Sequence, residues 1–183
     1  MGPSAVAEDA SPATPLATKA ALVATLAVTG GALAEFVRRR PETAIDPQFA
    51  AWFLWLFSAL FLLRVVGQLY VRLRRPAWLP PTEEWNLTPY RLLLPAQIAI
   101  LGLMAWLDVT FTLGNGEPVE PRPWLGEALL AFSYIYAGAM VLRYVVRMTR
   151  RRSERWFGGT IPIVFHFVLA SYVFVLGSYH ASY

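Results

Sequence analysis

The stretch from Trp124 to Tyr183 constrains the fold more than any other part of the chain. An apolar segment closes in Arg143-Tyr-Val-Val-Arg147, an arginine cluster follows to Arg155, Gly158-Gly159 interrupts, and a second apolar segment carries both histidines, His166 and His180. Each segment has roughly the twenty residues that an α-helix needs to cross the hydrocarbon core. The pair reads as two transmembrane helices joined by a basic loop.

The rest of the chain continues the pattern, with spans expected over 20–37, 49–71, 90–113, 124–146 and 160–179. The expected fold is therefore all-α, a bundle of five transmembrane helices over 19–183, behind a polar Ala/Pro-rich tail, 1–18. Composition agrees: 56% of the residues are hydrophobic and 15% charged, whereas a soluble domain carries about 25% charge. Seven Trp and eight Tyr suit the headgroup boundary. The arginines sit at the ends of apolar runs, so topology accounts for the net charge of +4 and no nucleic-acid partner is expected. The absence of cysteine removes disulfides, thiolate metal sites and thiol nucleophiles together. Fifteen Arg against the single Lys19, with abundant Ala, lean towards a bacterial cytoplasmic (inner) membrane.

Local signals mark the helix ends. Asp46-Pro47 supplies a capping side chain followed by proline at the first helical position. Gly114-Asn-Gly116 ends the third span in a turn, and Pro95 can kink that span one turn from its start. The loop over 76–89, with Trp78 and Trp85, is expected along the headgroups. Placing the two arginine-rich loops with the N-terminal tail gives ten Lys/Arg on one side against four (Arg38, Arg39, Arg40, Arg122) on the other. The positive-inside rule then sets the N-terminus in the cytoplasm and the C-terminus in the periplasm.

The first segment is the least apolar, and its pattern is more telling than its hydropathy. Ala17, Ala20, Ala24, Ala27, Gly31 and Ala34 recur at alternating steps of three and four, which aligns the small side chains on one stripe for close helix approach. The stripe through Ala20, Ala24, Ala27 and Gly31, together with the tail, is the expected contact with other transmembrane subunits. Two rival readings stand beside it. One is an interfacial helix, leaving four spans; the other is a secretory signal ending at Ala32-Leu33-Ala34, against which the leader is long and acidic. A shift of 79 residues also aligns Phe53 with Phe132, Arg64 with Arg143 and Arg72 with Arg151, the outline of two similar hairpins.

Three groups of residues could carry chemistry. Arg64 and Arg143 lie inside the ends of their spans, with Gln68 and Arg72 on the first face and Arg147 and Arg150 on the second. Both can snorkel to anionic headgroups about 11 Å away; the sharper reading is a polar site for an anionic lipid or ligand formed by Arg64, Arg143 and Arg147. His166 and His180 share roughly one face about 21 Å apart. Each could hold a haem or chlorophyll-type pigment through a single ligand, since no other histidine completes a bis-His site; as the alternative, they are a helix–helix hydrogen bond and an interfacial residue. Glu35, Asp108 and Glu127 fall near the same helix ends as Arg38–Arg40 and Arg122, and pairing with those arginines is expected over a metal site.

No phosphate loop, His-Glu-x-x-His, Gly-x-Ser-x-Gly or nucleophile–base pair occurs, so no catalytic residue and no required cofactor is expected. The leading expectation is a non-catalytic accessory or scaffold subunit of a larger membrane complex of the energy-transducing kind, photosynthetic or respiratory. The alternatives are a haem- or pigment-binding redox subunit, and a small membrane enzyme or transporter for a lipid or anion.

Overall fold

A computed structural model describes residues 16–41, 43–74, 90–150 and 160–183. Among them are five long helices: α1 (Leu16–Arg39), α2 (Pro47–Arg74), α3 (Tyr90–Leu113), α4 (Pro123–Arg150) and α5 (Thr160–Ala181), with one 3₁₀ turn, Glu117–Val119. All five are long and apolar enough to cross a membrane, so the chain is a multi-pass integral membrane protein. The tail over 1–15, the loop over 75–89 and the basic loop with Gly158-Gly159 lie outside the described residues.

The helix ends follow local chemistry. The Asp46 carboxylate accepts the Gln48 and Phe49 amides at 2.9 and 3.0 Å, the N-terminal cap of α2. Gly114 (φ 67°) and Gly116 (φ 99°) take positive φ and end α3, as expected of that tripeptide. Helix α3 runs unbroken through Pro95, and α1 through Ala32-Leu33-Ala34.

The ends of α1 and α3 and the starts of α2 and α4 gather at one end of the bundle, with the last residues of α5. There the Ile45 amide donates to Ser182 Oγ (3.0 Å), Tyr183 Oη donates to the Ile45 carbonyl (3.1 Å), and Tyr179 Oη donates to the Val119 carbonyl (2.6 Å). We call this the stitched end; Leu16, Arg74, Tyr90, Arg150 and Thr160 lie at the arginine end.

Helix α5 is the hub. Of its spanning window 72% is buried, against 6% of that of α4; α1, α2 and α4 all pack on α5, and α3 packs on α2. Its inward positions Val164, Val168, Tyr172, Val175 and Tyr179 follow the three-and-four spacing of a helix seam. Helix α2 supplies the facing seam, with Ala50, Leu54, Phe57, Phe61, Arg64, Gln68 and Val71 all buried.

Contact between α4 and α5 is closest where side chains are smallest. A Cβ placed on Gly177 would lie 2.9 Å from the Leu130 amide nitrogen, and one on Gly126 would lie 2.7 Å from the His180 carbonyl carbon. Further towards the arginine end Ser133 Oγ donates to the Ala170 carbonyl at 2.9 Å, a hydrogen bond that this close approach makes reachable. The pairs Gly126/Ser133 and Ala170/Gly177 are each seven residues apart, two turns on one face.

Helix α1 attaches by a different face from the small-residue stripe. Thr18, Leu22, Thr25, Thr29 and Phe36 are buried, while Ala17, Ala20, Ala24, Ala27, Gly31 and Ala34 are all exposed. At 100° per residue the two faces are about 160° apart. The threonines can face inward because Thr25 and Thr29 hydroxyls donate to the Ala21 and Thr25 carbonyls of their own helix (2.8 and 2.7 Å). Phe36 locks the end of α1 into an aromatic cluster with Phe53 (5.2 Å), Phe49 (5.7 Å) and Phe174 (6.3 Å).

Replacing Gly177 by leucine should force α4 off α5 and lower stability by about 1–3 kcal/mol, the usual cost of overpacking. Thermal unfolding in mild detergent reads it, with Gly138→Leu, at an exposed position where an added Cβ meets nothing within 4 Å, expected to leave the midpoint unchanged or raised.

Candidate functional site

The α2 seam becomes polar towards the arginine end, and this makes the candidate site. Arg64 and Gln68 occupy successive inward positions, so their heads enter the bundle as those of Phe61 and Phe57 do one and two turns before Arg64. Arg64 is only 6% exposed and stands over the Phe165 ring of α5 at 5.5 Å, a cation–π contact. Its Nε has no hydrogen-bond partner. Gln68 accepts a hydrogen bond from Gln97 Nε2 of α3 at 3.2 Å, both residues being 2% exposed, and Gln97 Oε1 is unpartnered.

Helices α4 and α5 bring further groups to the same depth. Tyr136 interacts electrostatically with Arg64, and its ring lies 5.6 Å from that of His166. His166 is half-buried, its Nδ1 engaged with the Pro162 carbonyl one turn earlier. Both the Arg64 and Arg143 guanidiniums act on His166 through space. Three of the sequence-derived candidates, Arg64, Arg143 and His166, thus share one neighbourhood between α2, α4 and α5. Their environments differ: Arg64 is buried, whereas Arg143, aligned with it by the 79-residue shift, is exposed. Arg147 is half-buried one turn beyond Arg143, Arg72 is exposed, and the Arg150 side chain lies outside the described residues.

Nearer the stitched end a second polar layer centres on Asp108 of α3, which is fully buried. Tyr172 Oη of α5 donates to Asp108 Oδ1 at 3.0 Å, and Ser58 of α2 approaches the same carboxyl. Asp108 Oδ2 has no hydrogen-bond partner. The expected pairing with outer arginines therefore holds for Glu35, which binds Arg38 (2.7 Å) and Arg39, and fails for Asp108, whose partner is a tyrosine. The turn of α3 that carries Asp108 points it at α2 and α5, away from the arginines. Glu127 is exposed, and among the described residues no group of three potential metal-ligating side chains converges.

His180 is remote from His166, at the stitched end. It is buried, with Tyr179 at 5.2 Å and Phe111 at 6.3 Å from its ring, and its Nδ1 is unpartnered. At 2% exposure the imidazole presents no open face to a tetrapyrrole. At His166 the engaged Nδ1 leaves Nε2 for an external group.

Sequence reasoning missed Gln97, Tyr136 and Tyr172. The signal for Gln97 is a single amide in an otherwise apolar span, a residue that rarely faces lipid without a partner. Comparison with protein-family models, with curated proteins and with solved structures finds no match.

Removing the Tyr172 hydroxyl should leave the buried Asp108 carboxyl without a donor. Tyr172→Phe is expected to cost about 1–3 kcal/mol, the penalty of an unsatisfied buried acceptor. Asp108→Asn, which retains an acceptor for Tyr172 and can donate towards Ser58, should cost less; the order of their unfolding midpoints in detergent checks this.

Proposed function

We propose that the protein is a non-catalytic scaffold subunit of a larger membrane assembly, joined to a partner's transmembrane helix through the outer face of α1. The observation that supports this reading is the direction of the small-residue stripe. A helix surrounded by lipid has no use for a row of alanine and glycine, because small side chains make poor contact with acyl chains and good contact with another backbone. In this chain the row faces away from its own bundle, and a Cβ added at Gly30 or Gly31 would meet nothing within 4 Å. Helix α1 then acts as a strut, its threonine and Phe36 face held by α5 and α2 and its alanine face held by the partner.

Substituting leucine at Ala27 and Gly31 together should abolish co-migration with the native partner on a non-denaturing gel. The unfolding midpoint of the isolated chain should not move, because both sites are open in it. A native protein that purifies from mild detergent as a monodisperse monomer would sink the proposal.

The proposed topology puts the arginine end in the cytoplasm and the stitched end in the periplasm of a bacterial inner membrane, on the excess of Lys/Arg at the arginine end. Because the chain contains no cysteine, single-cysteine variants report without background. Asn115→Cys, exposed at the stitched end, should react with a membrane-impermeant maleimide in intact cells. Thr149→Cys, exposed at the arginine end, should react only after the membrane is opened; the reverse pattern overturns the orientation.

A further inference from the structure

Arg64 presents a physical problem that the described residues do not solve. A guanidinium buried inside a bundle costs several kcal/mol unless an anion balances it and hydrogen bonds fill its fork. No described carboxylate does so. Asp108 is taken by Tyr172, Glu35 by two arginines, and Asp46, Glu117, Glu120 and Glu127 lie at the stitched end, away from Arg64. From Arg64 to the end of α2 is ten residues, about 15 Å of helix, and the guanidinium is turned inward over Phe165. It is therefore held away from the headgroup layer by its seam position.

The surroundings supply what an oxyanion needs. Arg64 offers an unpartnered Nε, Tyr136 a hydroxyl, His166 its remaining Nε2, and Arg143 a second guanidinium at the exposed rim. These donors come from α2, α4 and α5, and α4 packs against α5 alone among the major helix contacts, so one flank of the cluster is turned to the bilayer. A planar guanidinium fork matches the oxygens of a phosphate two at a time, and a second arginine at the rim draws in the same charge.

We propose that Arg64, Arg143, Tyr136 and His166 form a binding site for a phosphate group, entered sideways from the membrane between α2 and α4. Arg64 is its base and Arg143 its mouth. The phosphate belongs to the headgroup of an anionic lipid or to a free phosphate ester, two sources with the same recognition chemistry.

The test uses the full chain purified in mild detergent. Phospholipid phosphorus that co-purifies is quantified, and thermal stability is then measured on delipidated protein with phosphatidylglycerol, with phosphatidylcholine, or with inorganic phosphate. The proposal expects retention of a stoichiometric anionic lipid, or stabilisation by phosphatidylglycerol or inorganic phosphate but not by phosphatidylcholine. A response to phosphatidylglycerol alone identifies a lipid site, and a response to inorganic phosphate a free ester.

Arg64→Met should lower affinity for the responding probe at least about tenfold, the scale of a charge-assisted hydrogen bond. Arg143→Gln, at an exposed position that the fold does not need, should lower it about fivefold. Wild-type protein that holds no anionic lipid and responds to neither anionic probe overturns the proposal. So does Arg64→Met with unchanged response. If Arg64→Met does not fold, Arg143→Gln and the wild-type measurements decide alone.

Discussion

Burying apolar side chains against another helix gains little within a bilayer, because lipid tails are as apolar as leucine, so helix association has to come from close contact and from hydrogen bonds. That constraint decides which features of this chain matter. Helix α4 can pack against a single neighbour because Gly126 and Gly177 let the two backbones meet and the Ser133 hydroxyl reach across to Ala170. Helix α1 relies on Phe36 in its aromatic cluster and on threonines that satisfy themselves. Around α5 these devices combine, which is why the most buried helix is also the one that carries the polar partners of its neighbours.

The same constraint makes each polar group inside the bundle informative. Two layers cross it at different depths, with opposite chemistry: a carboxyl held by a tyrosine hydroxyl between α2, α3 and α5, and a guanidinium with amides, a phenol and an imidazole drawn from α2, α3, α4 and α5. They do not neutralise one another. The first is largely closed by partners of the chain itself; the second has donors in excess, and surplus donors are what distinguish a place for an anion from a structural network.

Much of the architecture was readable before any coordinates, because spanning a membrane writes itself into hydropathy. The spans, the Asp46-Pro47 cap and the Gly114-Asn-Gly116 turn all correspond to elements, and the helices run one to four residues beyond the apolar segments at most of their ends. Orientation of each helix about its own axis was not readable in the same way. Hydropathy does not separate a lipid-facing leucine from a buried one, and the small-residue stripe of α1 marks a packing face for another helix without saying which residues hold α1 to its own bundle. The inward face of α1 was hidden because threonine looks polar until its hydroxyl is returned to its own helix. For Arg64 the information existed in the spacing: Ala50, Leu54, Phe57, Phe61, Arg64, Gln68 and Val71 form one uninterrupted seam. Charge alone suggested a side chain reaching for the headgroups, whereas register puts it indoors. Tyr172 and Asp108 could not be matched without coordinates, since nothing in a sequence relates turns of helices 64 residues apart.

The stitched end has a consequence in time. The Ile45 amide and carbonyl, in the connection between α1 and α2, are satisfied by Ser182 and Tyr183, 137 and 138 residues later. At typical rates of translation the ribosome needs on the order of ten seconds to cover that distance. Through that interval the first two helices can enter the membrane, but the connection between them has no fixed partner. It becomes fixed when the last turn of α5 arrives, so closure of the bundle is a late event in the birth of the molecule.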